Sequence, residues 1–219
     1  MDSLIETLAL YALPVLFAIT LHEAAHGYAA RHFGDPTAWQ AGRISLNPVR
    51  HIDPVGTIVV PVLILIASKL AAGSGILFGW AKPVPVRFDR LRHPKRDMLW
   101  VAAAGPAANL FMAFCWALLL KLAVSMPEAS YARPLAEMSR AGITVNGVLM
   151  LLNLLPIPPL DGGRIAVSLL PDALAWRYAQ LERFGLVLLL LLLFAGVLDI
   201  VLYPLLGLFM AAIRMLFAF

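Results

Sequence analysis

Cysteine is almost absent from this chain. Cys115 is the only one in 219 residues, which excludes both an intrachain disulfide framework and a thiolate metal site. Charge is scarce as well: 14% of the residues are Asp, Glu, Lys or Arg against 61% hydrophobic, and the mean hydropathy is +0.84. Those figures exclude an ordinary soluble domain and point to a lipid solvent. The N-terminus, Met1 to Glu6, lacks a basic region, and no small-residue cleavage site follows the first apolar stretch, so that stretch is expected to be retained. No internal repeat and no low-complexity linker divides the chain, which predicts one integral-membrane domain over residues 1–219. The net charge of +4 does not imply nucleic acid, because Lys and Arg gather in short loops between apolar runs. There they set orientation in the bilayer.

What the chain has in abundance is apolar runs. Uncharged stretches lie at about 98–120, 141–160, 184–198 and 200–213, and about 20 such residues suffice to cross a bilayer as a helix. Ahead of them, a helix is predicted from about Leu4 to Phe33, stopped by Gly34, Asp35 and Pro36. Residues 38–48, AWQAGRISLNP, alternate loosely and suggest a short strand or hairpin. The run 54–81 is expected either to enter and return or to cross once. Residues 126–140 read as an outer loop, and the C-terminal stretch, interrupted by Asp199 and Pro204, as one bent helix or two short ones. The expected fold class is therefore an all-α polytopic membrane protein, a bundle of about five to six spanning helices with a strand or hairpin after the first. Arg31, Arg43 and Arg50 place the end of the first helix at the cytoplasmic face, as does the basic loop at 87–96.

The chemistry begins at His22-Glu23-Ala24-Ala25-His26. In H-E-x-x-H two histidines at i and i+4 share one helix face and can take adjacent vertices of a tetrahedral zinc, while the glutamate flanks the metal without ligating it. From there Glu23 can take a proton from a polarised water and pass it to a leaving amine, which is the chemistry of amide hydrolysis. Five-residue patterns arise by chance, and paired histidines on a helix are usually packed or solvated. Ionisable groups inside a membrane segment are costly, however, and mark functional sites.

Zinc needs a third protein ligand. His32 stands where the last histidine of H-E-x-x-H-x-x-G-x-x-H would be, but Ala29 occupies the glycine position. A continuing helix carries His32 roughly 9 Å beyond His26 along the axis. His32 and His93 read as interfacial residues, and so does His51, which stays open as an alternative ligand. Asp161, in NLLPIPPLDGG, is the better candidate: the prolines break the helix and the two glycines let backbone approach closely. An Asp-Gly pair is in general an ordinary turn. Following an apolar helix that returns to the level of His22 and His26, the ligand reading overtakes it.

With H-E-x-x-H in the first helix and N-x-x-P-x-P-x-L-D-G-G in a later one, the sequence resembles the site-2 protease family of intramembrane zinc metalloproteases. GDPT, GRISLNP, HIDPVGT, FGWAKPVPV and AAAGPAAN follow in the family's order, so the resemblance covers most of the chain, in the compact form without PDZ or CBS domains. It implies one Zn2+ per chain held by His22, His26 and Asp161, with Glu23 as general base and acid. Asn153 matches the family asparagine that engages the substrate backbone. Asn109, in Gly105-Pro106-x-x-Asn109, matches the second-helix motif and is expected to help bind substrate or the developing oxyanion; the same residues suit close helix packing around a buried amide equally well. The implied partners are a transmembrane protein substrate and the lipid bilayer, with no nucleic acid. The implied location is a prokaryotic cell membrane, with the active site nearer the cytoplasmic side. A zinc or proton transporter and a silent scaffold of the same fold are the rivals.

Overall fold

The computed structural model describes residues 2–60, 62–64, 66 and 79–218. Helix α1 spans Asp2–His32, 31 residues with Pro14 inside and Arg31 and His32 in the last turn. It ends where glycine can leave a helix: Gly34 adopts φ +111° and Asp35 N donates back to Ala30 O at 2.9 Å. Asp35 is fully buried. Its carboxylate accepts from Thr37 N, Thr37 Oγ1 and, across the chain, Arg87 N at 2.7 Å. One side chain thus ties the end of α1 to the basic loop.

The strand or hairpin expected at 38–48 is absent; among the described residues no strand occurs. Local turn chemistry overrides the alternation. Thr37–Gln40 is a short helix, α2, and Gly42 at φ +64° closes its end, with Gly42 N on Trp39 O and Arg43 N on Ala38 O. Asn47 then caps a 3-10 turn, Pro48–His51, by accepting from Val49 N at 3.1 Å. Asp53 does the same for a π-helical turn, Pro54–Val59. Much of the run 54–81 lies outside the described residues, but its two ends meet. Trp80 N donates to Gly56 O at 3.0 Å, and Thr57 Oγ1 donates to Trp80 O at 2.9 Å. From there residues 79–86 run without helix or strand along α1.

The bundle proper is α3 (Pro94–Ser125), α4 (Ala132–Leu154), α5 (Asp161–Leu169), α6 (Asp172–Ala179), α7 (Gly185–Phe194) and α8 (Val197–Phe217). Among the described residues α3, α4 and α8 are long and apolar enough to cross a membrane, three helices where about five to six were expected. Helix α1 matches them in length but carries the polar HEAAH run, and α7, at 10 residues, is short for a span. Helix α4 starts within the expected outer loop, since residues 132–140 form its first turns. There Arg133 pairs with Glu137 at i, i+4 while Ala132, Ala136 and Ser139 are buried. The C-terminal stretch is two helices, broken at Gly196 (φ +72°) and not at Asp199 or Pro204.

Small residues let these helices approach. A Cβ on Gly142 would lie 2.4 Å from the Trp116 ring, so α3 packs its tryptophan flat on α4, within a core that includes Met112, Ala117, Leu120 and Ile143. The outside is apolar: Phe111, Val187, Ile200, Leu208 and Met215 are all exposed. Such a surface is what lipid requires and water penalises.

Candidate metal centre

His22 and His26 project from one face of α1 toward a stripe on α3 formed by Val101, Gly105 and Asn109, spaced at i, i+4 and i+8. His22 Nδ1 donates to Asn109 Oδ1 at 2.6 Å, and His26 Nδ1 donates to the Val101 carbonyl at 2.7 Å. Because both acceptors are oxygens, the hydrogen sits on Nδ1 in each ring and Nε2 presents a lone pair. Between the two acceptors lies Gly105, where a Cβ would come within 2.4 Å of His26 Nε2 and 2.6 Å of His22 Nε2. Only a glycine leaves room for the two rings.

Asn109 is itself held. It is fully buried, and its Nδ2 donates to Ala18 O at 3.2 Å and to Asn146 Oδ1 at 3.0 Å; Asn146 Nδ2 in turn donates to Gly142 O. This chain of amides locks the tautomer of His22 from behind, as the outer hydrogen-bond partners of metal-binding histidines do. Sequence reasoning missed Asn146. Its signal was a carboxamide inside an apolar helix, two turns before Asn153 on the same face.

Asp161 opens α5 just after the Pro156–Pro159 break. The two glycines behind it are required by space, since a Cβ on Gly162 would lie 2.3 Å from the Leu154 and Leu155 carbonyl oxygens and one on Gly163 2.5 Å from Pro158 N. The tight turn brings Asp161 Oδ2 to 3.2 Å from His22 Nε2 and 3.3 Å from His26 Nε2, while the two Nε2 atoms are 3.0 Å apart. All three side chains are buried, and Asp161 Oδ2 has no hydrogen-bond partner. Two lone pairs and a carboxylate oxygen facing one another at that distance repel unless a proton or a metal ion lies among them. Ligands at about 2.0–2.1 Å on a tetrahedral ion are separated by about 3.3–3.4 Å, so the donor set and its spacing fit one such ion. Among the described residues this is the one group of three or more His, Cys, Asp or Glu side chains placed to hold a metal.

Glu23 stands beside this group, half-buried. Its Oε2 accepts the main-chain N–H of Val84 at 2.7 Å, a contact between residues far apart in sequence that no motif announced. Oε1 is left for other work. The segment that supplies Val84 is fixed on both sides: Lys82 N donates to His51 O at 2.9 Å and Arg43 Nη2 to Lys82 O at 2.8 Å.

Of the remaining candidates, Asn153 lies half-buried on the last turns of α4, its Nδ2 donating to Leu149 O at 3.0 Å. His51, held open as an alternative ligand, is not one: its Nε2 donates to Ser45 O at 2.8 Å, away from the trio. His32 and His93 are exposed and also stand apart from it.

Comparison with known proteins agrees with this chemistry. The chain is 39% identical over 196 residues to "Putative zinc metalloprotease YwhC" of Bacillus subtilis, covering 88% of this chain and 84% of that protein. The chain belongs to the YwhC family of zinc metalloproteases. It is also 30% identical over 189 residues to "Putative zinc metalloprotease Rip2" of Mycolicibacterium smegmatis and 30% identical over 184 residues to the Rip2 of Mycobacterium tuberculosis, covering 84% of this chain and 66% of each of them. No family model and no solved structure matches the chain. The group His22, His26 and Asp161 could hold one metal ion, with the carboxylate of Glu23 beside it, the donor types a hydrolytic zinc site uses.

Proposed function

We propose that the protein is an intramembrane zinc endopeptidase of the site-2 protease kind, hydrolysing peptide bonds within or near the transmembrane segments of membrane-protein substrates. One observation carries the reading: the three metal-binding side chains and Glu23 lie between α1, α3 and α5, in a molecule whose outer surface is apolar.

Bound zinc supplies a Lewis acid that polarises water and the scissile carbonyl. The rest is done by the chain. Asn109 and the Val101 carbonyl keep both imidazoles aimed with Nε2 forward. Glu23, anchored through Oε2 by Val84 N–H, takes a proton from the attacking water at Oε1 and delivers it to the leaving amide nitrogen. Asn153, beside the proline break, engages the substrate main chain. Asn109 acts on substrate and oxyanion through the histidine it holds, since burial keeps its amide from the reacting atoms. A substrate segment must leave its helix for its carbonyl to be attacked, so helix-weakening residues belong near the cut. The bacterial relatives and the basic loops favour a prokaryotic cell membrane with the site nearer the cytoplasmic face.

The test pairs wild type with Glu23→Gln in detergent, measuring zinc per chain and cleavage of transmembrane peptides with helix-weakening centres. Cleavage by wild type alone, with zinc in both, is the expected result. Peptide cleavage retained in Glu23→Gln refutes the assignment of the base. Zinc flux across a vesicle membrane that Glu23→Gln abolishes, with no peptide cut by either protein, refutes the protease in favour of a transporter.

A further inference from the structure

We propose that an anionic phospholipid binds in the cleft between the first turns of α3 and the end of α5. This site is separate from the metal centre and does not depend on the protease reading. The cleft has a volume of about 460 Å³ and is lined by Lys95, Arg96, Leu99, Trp100, Ser168 and Leu169.

Its lining is graded along α3. Lys95 stands one turn before Leu99, and Arg96 one turn before Trp100, so each cation has an apolar partner about 6 Å further into the span. Trp100 is 54% exposed and Leu169 69% exposed, which leaves apolar surface that the protein does not cover, and tryptophan is enriched where headgroups meet acyl chains. The charge is net positive. Arg96 has no acidic partner among the described residues, whereas Lys95 Nζ lies 2.5 Å from Asp172 Oδ1 in an exposed, solvent-screened pair. Asp97, the other carboxylate on this turn, is 3% exposed; it faces inward and accepts from His93 N. Ser168 Oγ donates to Arg164 O within its own helix, so it offers the headgroup lone pairs and no hydrogen.

A free phosphate would use the cations and leave most of the cleft unfilled. A phospholipid matches both ends: its phosphate meets Lys95 and Arg96, and its acyl chains cover Leu99, Trp100 and Leu169. Basic pockets between helices at a membrane interface select anionic headgroups in this way. Because α5 begins with Asp161 and ends at this cleft, the lipid braces the helix that presents a metal ligand.

Trp100 is the reporter. The protein is reconstituted in phosphatidylcholine vesicles with a minor fraction of phosphatidylglycerol, one lipid or the other being brominated, and the Trp100 signal is taken as the difference between wild type and Trp100→Phe. Brominated phosphatidylglycerol is expected to quench Trp100 beyond its mole fraction. Arg96→Gln should cut that preference about fivefold, the effect of one cation near the surface, and Asp172→Asn should raise it by releasing Lys95. Quenching that follows mole fraction alone, or is unmoved by both substitutions, overturns the proposal. Full loss of the preference at micromolar inorganic phosphate, at unchanged ionic strength, also overturns it, since binding that tight would need no acyl chains on Leu99, Trp100 and Leu169 and the cleft would be a simple anion site.

Discussion

Replacing Gly105 by alanine should empty the metal centre while leaving the bundle folded. The new methyl carbon would sit 2.4 Å from His26 Nε2 and 2.6 Å from His22 Nε2, about 1 Å inside ordinary van der Waals contact. Neither ring can retreat cheaply. His26 is pinned at 2.7 Å to Val101, one turn before Gly105 on the same helix, and His22 at 2.6 Å to Asn109, one turn after it. Moving α3 away would break the bonds that aim both nitrogens. Loss of an outer partner of a metal-bound histidine typically weakens binding 10–100-fold; here both ligands are displaced at once, so the apparent zinc affinity should fall by at least about 100-fold. The assay is competition with a chromophoric chelator in detergent, with size-exclusion elution and tryptophan fluorescence reporting the fold. Gly207→Ala is the control. That glycine also lies inside a membrane helix, but nothing stands within 4 Å of its added Cβ, and alanine in place of a helical glycine is worth about 0.5–1 kcal/mol of stability. If Gly105→Ala binds zinc within about threefold of wild type, the close contact is not what makes glycine necessary, and the geometry assigned to the trio is wrong.

Two further outcomes follow from the hydrogen bonds around the site. Asn109→Ala should lower zinc affinity 10–100-fold; an unchanged affinity, read by the same chelator competition, would show that the bond from His22 Nδ1 to Asn109 Oδ1 does not aim the ring. Asp35→Ala removes three hydrogen bonds to a buried carboxylate, one of them reaching Arg87 N, and should cost about 3 kcal/mol. For a chain of this size that lowers the thermal midpoint by about 6–12 °C, and an unchanged midpoint would mean that the end of α1 and the basic loop are not joined through Asp35.

The grouping of His22, His26 and Asp161 was legible because each part carries a local signal. H-E-x-x-H states its own geometry once the helix is known, and Asp161 was marked by prolines and glycines whose crowding is now visible in the carbonyls of Leu154 and Leu155. Where several local signals competed, the reading failed. Loose alternation at 38–48 suggested a strand, yet Gly42 and Asn47 each favour a turn, and the turns won. Residues 132–140 looked too polar for a membrane helix. One helix can carry Arg133 and Glu137 outward and Ala132 and Ala136 inward, so polarity set the level of the water and not the end of the helix. What stayed hidden was tertiary: the Asn146–Asn109–His22 chain and the hold of Val84 on Glu23 join residues that only the folded bundle brings together.

That last contact has a consequence for how the protein can vary. The group that steadies the proposed base is a peptide N–H, supplied by the residue between Pro83 and Pro85. Its identity is not encoded in any side chain. Substitution at position 84 by any residue but proline leaves the donor in place, so the chemical duty stays constant whichever side chain stands there, and what restricts the position is packing, since the Val84 side chain is buried. Scanning by alanine, which strips side chains and spares main chain, would report only the packing of Val84 and pass over the N–H that holds Glu23.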